Sequence, residues 1–399
     1  MNKTQAVVQC GQYFKKKGDK MLVGVENIAA YSSLIRHARI GLVTNFSGLT
    51  SRFEPTGSVL NQFGTVVKLF APEYGLHGLN AGHETVADVA CDPQLKVPVV
   101  SLYGEKFMPD FTDLADLDVV VFDIQDTGVR YHSFINTLLR VMQKAEQAGK
   151  PMIVMDRPLP IGRKQPLGTR LAPAYMSFVG LLATPALYGL TIGELARWIQ
   201  ATQLPELQLE VVPLINWNPH LTITQNGLPW QAPSPNLPTE AAVRLYPGLG
   251  LLDGTNISVG RGTVRPFEQI GAPFIDGIKL AKRLRQLASQ RGRVGFKPIW
   301  FKPMQGRYAG QICQGVQLHV QDNGLNPLRL GAEILANLAA LYPAELVYTK
   351  PLPQLGTAHT YLEYLCGRVM QTPYDIAQLT ASSDYNPAFQ LETAGYYLY

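Results

Sequence analysis

The chain has 399 residues, 46% of them hydrophobic and 16% charged, which fits two packed domains and excludes a disordered or fibrous protein. The net charge of +5 comes from scattered Lys and Arg, with Lys15 to Lys17 the main cluster, whereas nucleic-acid binding needs a denser basic stripe. No apolar stretch reaches membrane-spanning length and none of signal-peptide length precedes the first charged run, so a cytoplasmic enzyme without membrane insertion is expected.

In chain order, apolar strand-like runs alternate with amphipathic helical ones. The runs are ARIGLVTN (38–45), VVKLFAPE (66–73), VPVVSLYG (97–104), DVVVFDIQD (118–126) and MIVMDRP (152–158). That alternation predicts a Rossmann-like α/β domain, a parallel sheet with helices on both faces. Between the last two runs, Tyr131, Phe134, Ile135, Leu138, Leu139, Met142 and Ala145 recur at helical spacing, with Gly149 as C-cap. A second helix is expected from Thr191 to Gln203, where Thr191 and Glu194 form a capping-box pattern, and it is expected to close a first domain at 1–205.

From about 206 the sequence turns rich in Gly, Pro and aromatics, which argues against a long helix and for ordered loops that shape a site. Regular elements resume as a helix near 275–289, strands near 294–303 and 315–322, and the helical run PLRLGAEILANLAALYP. These are assigned to a second, smaller α/β domain at 206–399. The four cysteines, Cys10, Cys91, Cys313 and Cys366, share no CxxC spacing and predict free thiols rather than a zinc knuckle or a disulfide framework.

Ligands of parallel α/β sheets bind beyond the carboxyl ends of the strands. The polar residues there are Asn45, Glu73, Tyr103, Glu105, Asp123, Gln125, Asp126, Asp156 and Arg157. Glu73 ends an apolar run and opens a glycine-containing loop, a setting in which partial desolvation suits a carboxyl to general-acid work. Asp123 and Asp126 stand three apart across a strand end, where two carboxylates divide acid and base roles or hold a cation, or where Asp126 simply caps the next helix. His77, His83, Glu84 and Asp88 share one loop, but their spacing matches no metal motif, and no metal or cofactor is expected. In the second half Ser234, Asn236, Thr239, Asp253, Asn256, Arg261 and Arg265 are suited to sugar hydroxyls or a carboxylate, or to turn chemistry. No GxGxxG, GxxxxGK[ST] or GxSxG pattern is present.

Taken together, GLVTNFSGLT (41–50), FAPEYGLHG (70–78), VVFDIQDTGVRYHSFI (120–135), MDRPLPIG (155–162), YGLTIGELA (188–196) and LYPGLGLLDGTNISVGRGTVRPFEQIGAP (245–273) run in the order of a known family. The chain resembles the NamZ-like exo-β-N-acetylmuramidases, glycoside hydrolase family 171. The resemblance implies a Rossmann-like N-terminal domain, a C-terminal α/β domain and a cleft between them. It also implies release of terminal β-linked N-acetylmuramic acid from peptidoglycan fragments, with the glutamate of the family's SPEHG motif, here Glu73, as the catalytic residue. This chain departs from the pattern at Tyr74 and Tyr188, where the family has histidines, at Asp253 for a glutamate and at Leu159 for an asparagine. PLGTR stands where the family has VEGP.

Glycoside hydrolysis needs a second group beside the acid. Asp123, Asp126, Asp253 and Glu268 are the candidates from sequence. Asn45, Tyr74, Tyr103, Arg157, Asn236, Asp253, Asn256 and Arg261 are assigned to substrate binding, an arginine being suited to the lactyl carboxylate of muramic acid. The partner is thus a small muropeptide or amino-sugar glycoside. A non-catalytic binder of such a ligand, or a hydrolase of another sugar-acid glycoside, are the rival expectations.

Overall fold

Six short strands lie side by side in parallel: β1 (Arg39–Thr44), β2 (Thr65–Ala71), β3 (Val99–Ser101), β4 (Val119–Asp123), β5 (Met152–Met155) and β6 (Leu209–Val212). Their order, β3-β2-β1-β4-β5-β6, is that of a doubly wound sheet, and its winding reverses between β1 and β4. The structure, a computed structural model, describes residues 20–79, 84–351 and 357–399.

Alternation along each strand divides the apolar residues between two faces. Val43, Val120, Phe122, Met152 and Val154 pack under the helices Phe134–Gln147 and Ile192–Gln203, whereas Leu42, Val119, Val121, Ile153 and Met155 join Val25, Ile28 and Leu60 on the other face. Burial on both faces explains the nearly continuous apolar runs of the sequence. The Thr191 hydroxyl accepts from the Glu194 N–H, and the Glu194 carboxylate accepts from the Thr191 N–H, so the capping box forms as expected. Gly149 follows the C-cap of the Phe134–Gln147 helix at φ +61°, and its N–H donates to the Glu146 carbonyl.

Several expected strands are shorter than their apolar runs. β2 stops before Pro72, where a turn closed by the Gly75 N–H on the Pro72 carbonyl takes over, and β4 stops at Asp123. The polar residues that follow leave the ladder and enter loops. The first helix begins at Phe134 rather than Tyr131, because Val129 to Ser133 form a turn in which the His132 N–H donates to the Val129 carbonyl. β6 lies past residue 205 and pairs in parallel with β5, so the sheet does not end with the helix before it.

In the second half, β7 (Gln269–Ala272), β8 (Val294–Phe301) and β9 (Cys313–Val320) make an antiparallel sheet in the order β7-β9-β8. The Gly/Pro-rich segment contains a helix of ten residues, Glu240–Leu249, capped by Thr239 and carrying Pro247 in its last turn. This helix meets the Pro327–Leu341 helix backbone to backbone: a Cβ on Gly331 would lie 2.3 Å from the Gly248 carbonyl oxygen. Arg130, 1% exposed, links the halves by donating to the carbonyls of Thr184 and Leu365, each at 2.9 Å, and of Thr169 at 3.4 Å. Cys91, Cys313 and Cys366 are free thiols. No helix among the described residues is long and apolar enough to cross a membrane.

Gly331→Ala must push these two helices apart. The expected loss is about 1–3 kcal/mol, the usual cost of overpacking, read as a lower urea midpoint with the slope unchanged.

Candidate active site

The carboxyl edge of the parallel sheet gathers an unusual number of buried polar side chains. Asn45 follows β1, Glu73 follows β2, Gln125 and Asp126 follow β4, and Asp156 and Arg157 follow β5, all of them buried, with Asp123 the last residue of β4. In an apolar interior each of these needs a partner.

Asp123 and Arg157 find each other. The Arg157 Nε donates to Asp123 Oδ1, its Nη2 donates to Asp123 Oδ2 at 2.8 Å, and the Thr56 hydroxyl donates to the same Oδ2. The Arg157 Nη2 also donates to the Leu49 carbonyl at 3.0 Å. These residues, expected as an acid or base and a carboxylate binder, instead form a closed ion pair beneath the site. Two opposite charges at adjacent strand ends, 0% and 3% exposed, neutralise one another before any ligand arrives. Asn45 is likewise turned to the fold, since its Oδ1 accepts from the Ser47 N–H and hydroxyl, and Ser47 Oγ accepts from the Gln125 N–H.

Asp126 holds a different set. Its Oδ2 accepts from the Gly128 N–H at 2.7 Å and from the Tyr188 hydroxyl, and its Oδ1 lies 2.9 Å from His132 Nδ1. His132 was not among the residues singled out from the sequence. It is 5% exposed, and its Nε2 has no hydrogen-bond partner among the described residues.

Glu73, 5% exposed, accepts a 2.5 Å hydrogen bond from the hydroxyl of Ser133, the residue after His132. Tyr74 takes φ +71° and Gly75 φ +73° in the turn that carries the carboxyl. A left-handed tyrosine costs on the order of 1–3 kcal/mol and persists where the surroundings dictate it. Burial pushes the Tyr74 hydroxyl's pKa up, the Glu73 charge adds to this, and Arg261 with the Ser234 and Asn236 side chains opposes it. The same environment reaches Tyr361, whose pKa is raised by burial first, then by Asp253 and Glu73, against Arg261. Tyr361 was also unmarked in the sequence, because only the fold brings its helix to this edge.

Arg261 donates from Nη2 to Asp253 Oδ2 at 2.8 Å and lies over the Phe267 ring at 4.7 Å. Burial opposes its charge, but Asp253 holds its pKa well above the usual arginine value. The second half thus supplies Ser234, Asn236, Asp253, Arg261 and Tyr361 around Glu73 and Tyr74. Other expected residues go elsewhere. Asn256 spends its side-chain amide on the Glu345 carbonyl and the Val347 N–H. Tyr103 packs edge-on to Phe107 and Phe178. Glu268 accepts from Thr239 and Arg265. Among the described residues no three His, Cys, Asp or Glu side chains converge as a metal ion requires, and His83 lies outside those residues.

Sequence models of the exo-β-N-acetylmuramidase NamZ match the chain over residues 40–241 for the N-terminal domain and 244–399 for the C-terminal domain. The chain belongs to the NamZ family. The peptidoglycan β-N-acetylmuramidase NamZ of Bacillus subtilis (strain 168) is 36% identical over 337 residues, 83% of this chain and 80% of that protein. A crystal structure of a DUF1343 family protein from Bacteroides fragilis superposes with a TM-score of 0.80 at 29% identity, covering 95% of this chain and 99% of the other. A second Bacteroides fragilis DUF1343 structure, at 23% identity and a TM-score of 0.70 over 96% and 99% of the two chains, shares the fold. Together the two NamZ matches take in both the parallel sheet and the loops that bring Asp253 and Arg261 to it.

Two predictions follow from the buried charges. Asp123→Asn leaves the Arg157 guanidinium buried without its counter-ion and is expected to cost about 3–5 kcal/mol in urea unfolding. Asp156 accepts from the Gly193 N–H and from the Thr191 and Tyr399 hydroxyls, yet burial, with the Glu194 charge adding, pushes its carboxyl from 3.8 up to about 7. A raised folded-state value favours the protonated form, so this group's stabilisation is complete below its unfolded value and is lost as pH rises through about 7. Native stability is therefore expected to fall between about pH 4 and pH 7, and Asp156→Asn to flatten that fall in urea titrations at the two values.

Proposed function

We propose that the chain is an exo-acting glycoside hydrolase that releases terminal β-linked N-acetylmuramic acid from peptidoglycan fragments, with Glu73 as the acid that protonates the leaving oxygen. Membership of the NamZ family and the activity named for the Bacillus subtilis relative support the reaction. The observation that carries the residue is the setting of Glu73. A buried carboxyl at a strand end, hydrogen-bonded by Ser133 and close enough to Tyr74 and Tyr361 for its charge to act on both hydroxyls, is suited to general-acid work.

Arg261 and Asn236 are the binding side chains of this reading. The planar guanidinium matches the lactyl carboxylate that distinguishes muramic acid from other amino sugars, and the carboxamide matches a ring hydroxyl or the acetamido group. Asp253 then orients Arg261 through the bond to Nη2. Tyr74, in place of the family's histidine, presents a neutral phenol to the substrate.

The test is release of nitrophenol from para-nitrophenyl β-N-acetylmuramide. Turnover by the native protein, reduced on the order of 10²–10⁴-fold in Glu73→Gln with an unchanged melting temperature, is the expected result. A native protein that binds but does not cleave this substrate would overturn the assignment.

A further inference from the structure

The geometry leaves the second catalytic group open. All four carboxylates considered from the sequence are already committed: Asp123 to Arg157, Asp126 to Gly128, Tyr188 and His132, Asp253 to Arg261, and Glu268 to Thr239 and Arg265. His132 is in a different position. In the neutral imidazole whose Nδ1 donates across the 2.9 Å contact to Asp126 Oδ1, Nε2 keeps its lone pair. That nitrogen is buried and has no partner among the described residues.

Its place relative to Glu73 is fixed by three contacts. Ser133, the next residue, donates to the Glu73 carboxyl. The Phe134 ring touches His132 edge-on at 4.7 Å between centroids and Tyr74, the neighbour of Glu73, at 6.4 Å. The imidazole also meets the Tyr246 ring edge-on at 6.2 Å between centroids, and the Tyr246 hydroxyl donates to the Tyr131 carbonyl. The imidazole therefore belongs to the same turn as the hydroxyl that holds the acid, one residue before it. Tyr188 donates to the other oxygen of the same Asp126 carboxylate.

We propose that His132 is the general base of the reaction and Asp126 the residue that positions it. This deepens the muramidase reading and rests on it. As the water oxygen bonds to the anomeric carbon, its proton passes to His132 Nε2. The glycosidic C–O bond breaks, its electron pair goes to the leaving oxygen, and that oxygen takes the proton of Glu73. The products are the free sugar, the shortened glycan, a Glu73 carboxylate and a His132 imidazolium, and proton exchange with solvent restores the starting state. Displacement by a base-activated water inverts the anomeric configuration.

The experiment compares native protein, His132→Ala, His132→Gln and Asp126→Asn on para-nitrophenyl β-N-acetylmuramide, with and without sodium azide, a nucleophile that needs no base. The two His132 variants are expected to lose on the order of 10²–10⁴-fold in kcat with KM little changed, and azide is expected to restore turnover of His132→Ala with formation of an α-glycosyl azide. Asp126→Asn is expected to lose kcat through the wrong tautomer. Variants that keep their melting temperature and stay within about tenfold of native kcat, or that azide does not rescue, overturn the proposal. Nitrogen-15 spectra of the histidine-labelled native protein supply an independent reading, with a proton-free Nε2 expected for His132. An Nε2–H tautomer overturns it even if the variants fail to fold. Native protein without turnover removes the muramidase reading and this one with it, whereas native turnover with unaffected His132 variants removes this one alone.

Discussion

Five ionisable side chains, Glu73, Asp123, Asp126, Asp156 and Arg157, are buried along one edge of a parallel sheet, and the molecule is organised around satisfying them. An unmatched charge at such depth costs several kcal/mol, so each must be paired, hydrogen-bonded or protonated. The solutions differ by position. Asp123 and Arg157 cancel one another below the floor of the site. Asp156 is surrounded by hydroxyls and a helix N–H, and Asp126 by a hydroxyl, a backbone N–H and an imidazole. Glu73 is met by the Ser133 hydroxyl.

The doubly wound order makes this crowding unavoidable. Every strand runs the same way, so every strand delivers its following polar residue to the same edge, and the reversal between β1 and β4 opens the space above it. The loops of the second half between the Glu240–Leu249 helix and β7 bring Arg261, held by Asp253, close enough to act on Tyr74, while the close approach of Gly248 and Gly331 sets how near its helices stand.

Much of this was legible in the sequence, for identifiable reasons. The strands of the parallel sheet declare themselves because both faces are covered, and Glu73 stands out because it ends such a run. β6 was missed because Leu209–Val212 is short, carries Glu210 and has only its last residue buried. The Glu240–Leu249 helix was hidden by Pro247 and by Gly248 and Gly250 at its end, residues that argue against a helix. Sequence position gave Asp123 and Asp126 equal standing, and only the tertiary pairing with Arg157 on one side and His132 on the other tells them apart. His132 itself carries no local signal, since its partner contact is made by a turn rather than by helical spacing.

Arg130 has a consequence for how a glycan meets this site. Its guanidinium is held wholly by main-chain oxygens, two from the first half and one, Leu365, from the helix that also carries Tyr361. Swinging the halves apart would strip a cation of part of its solvation without offering it a counter-ion, so the fold resists opening like a jaw.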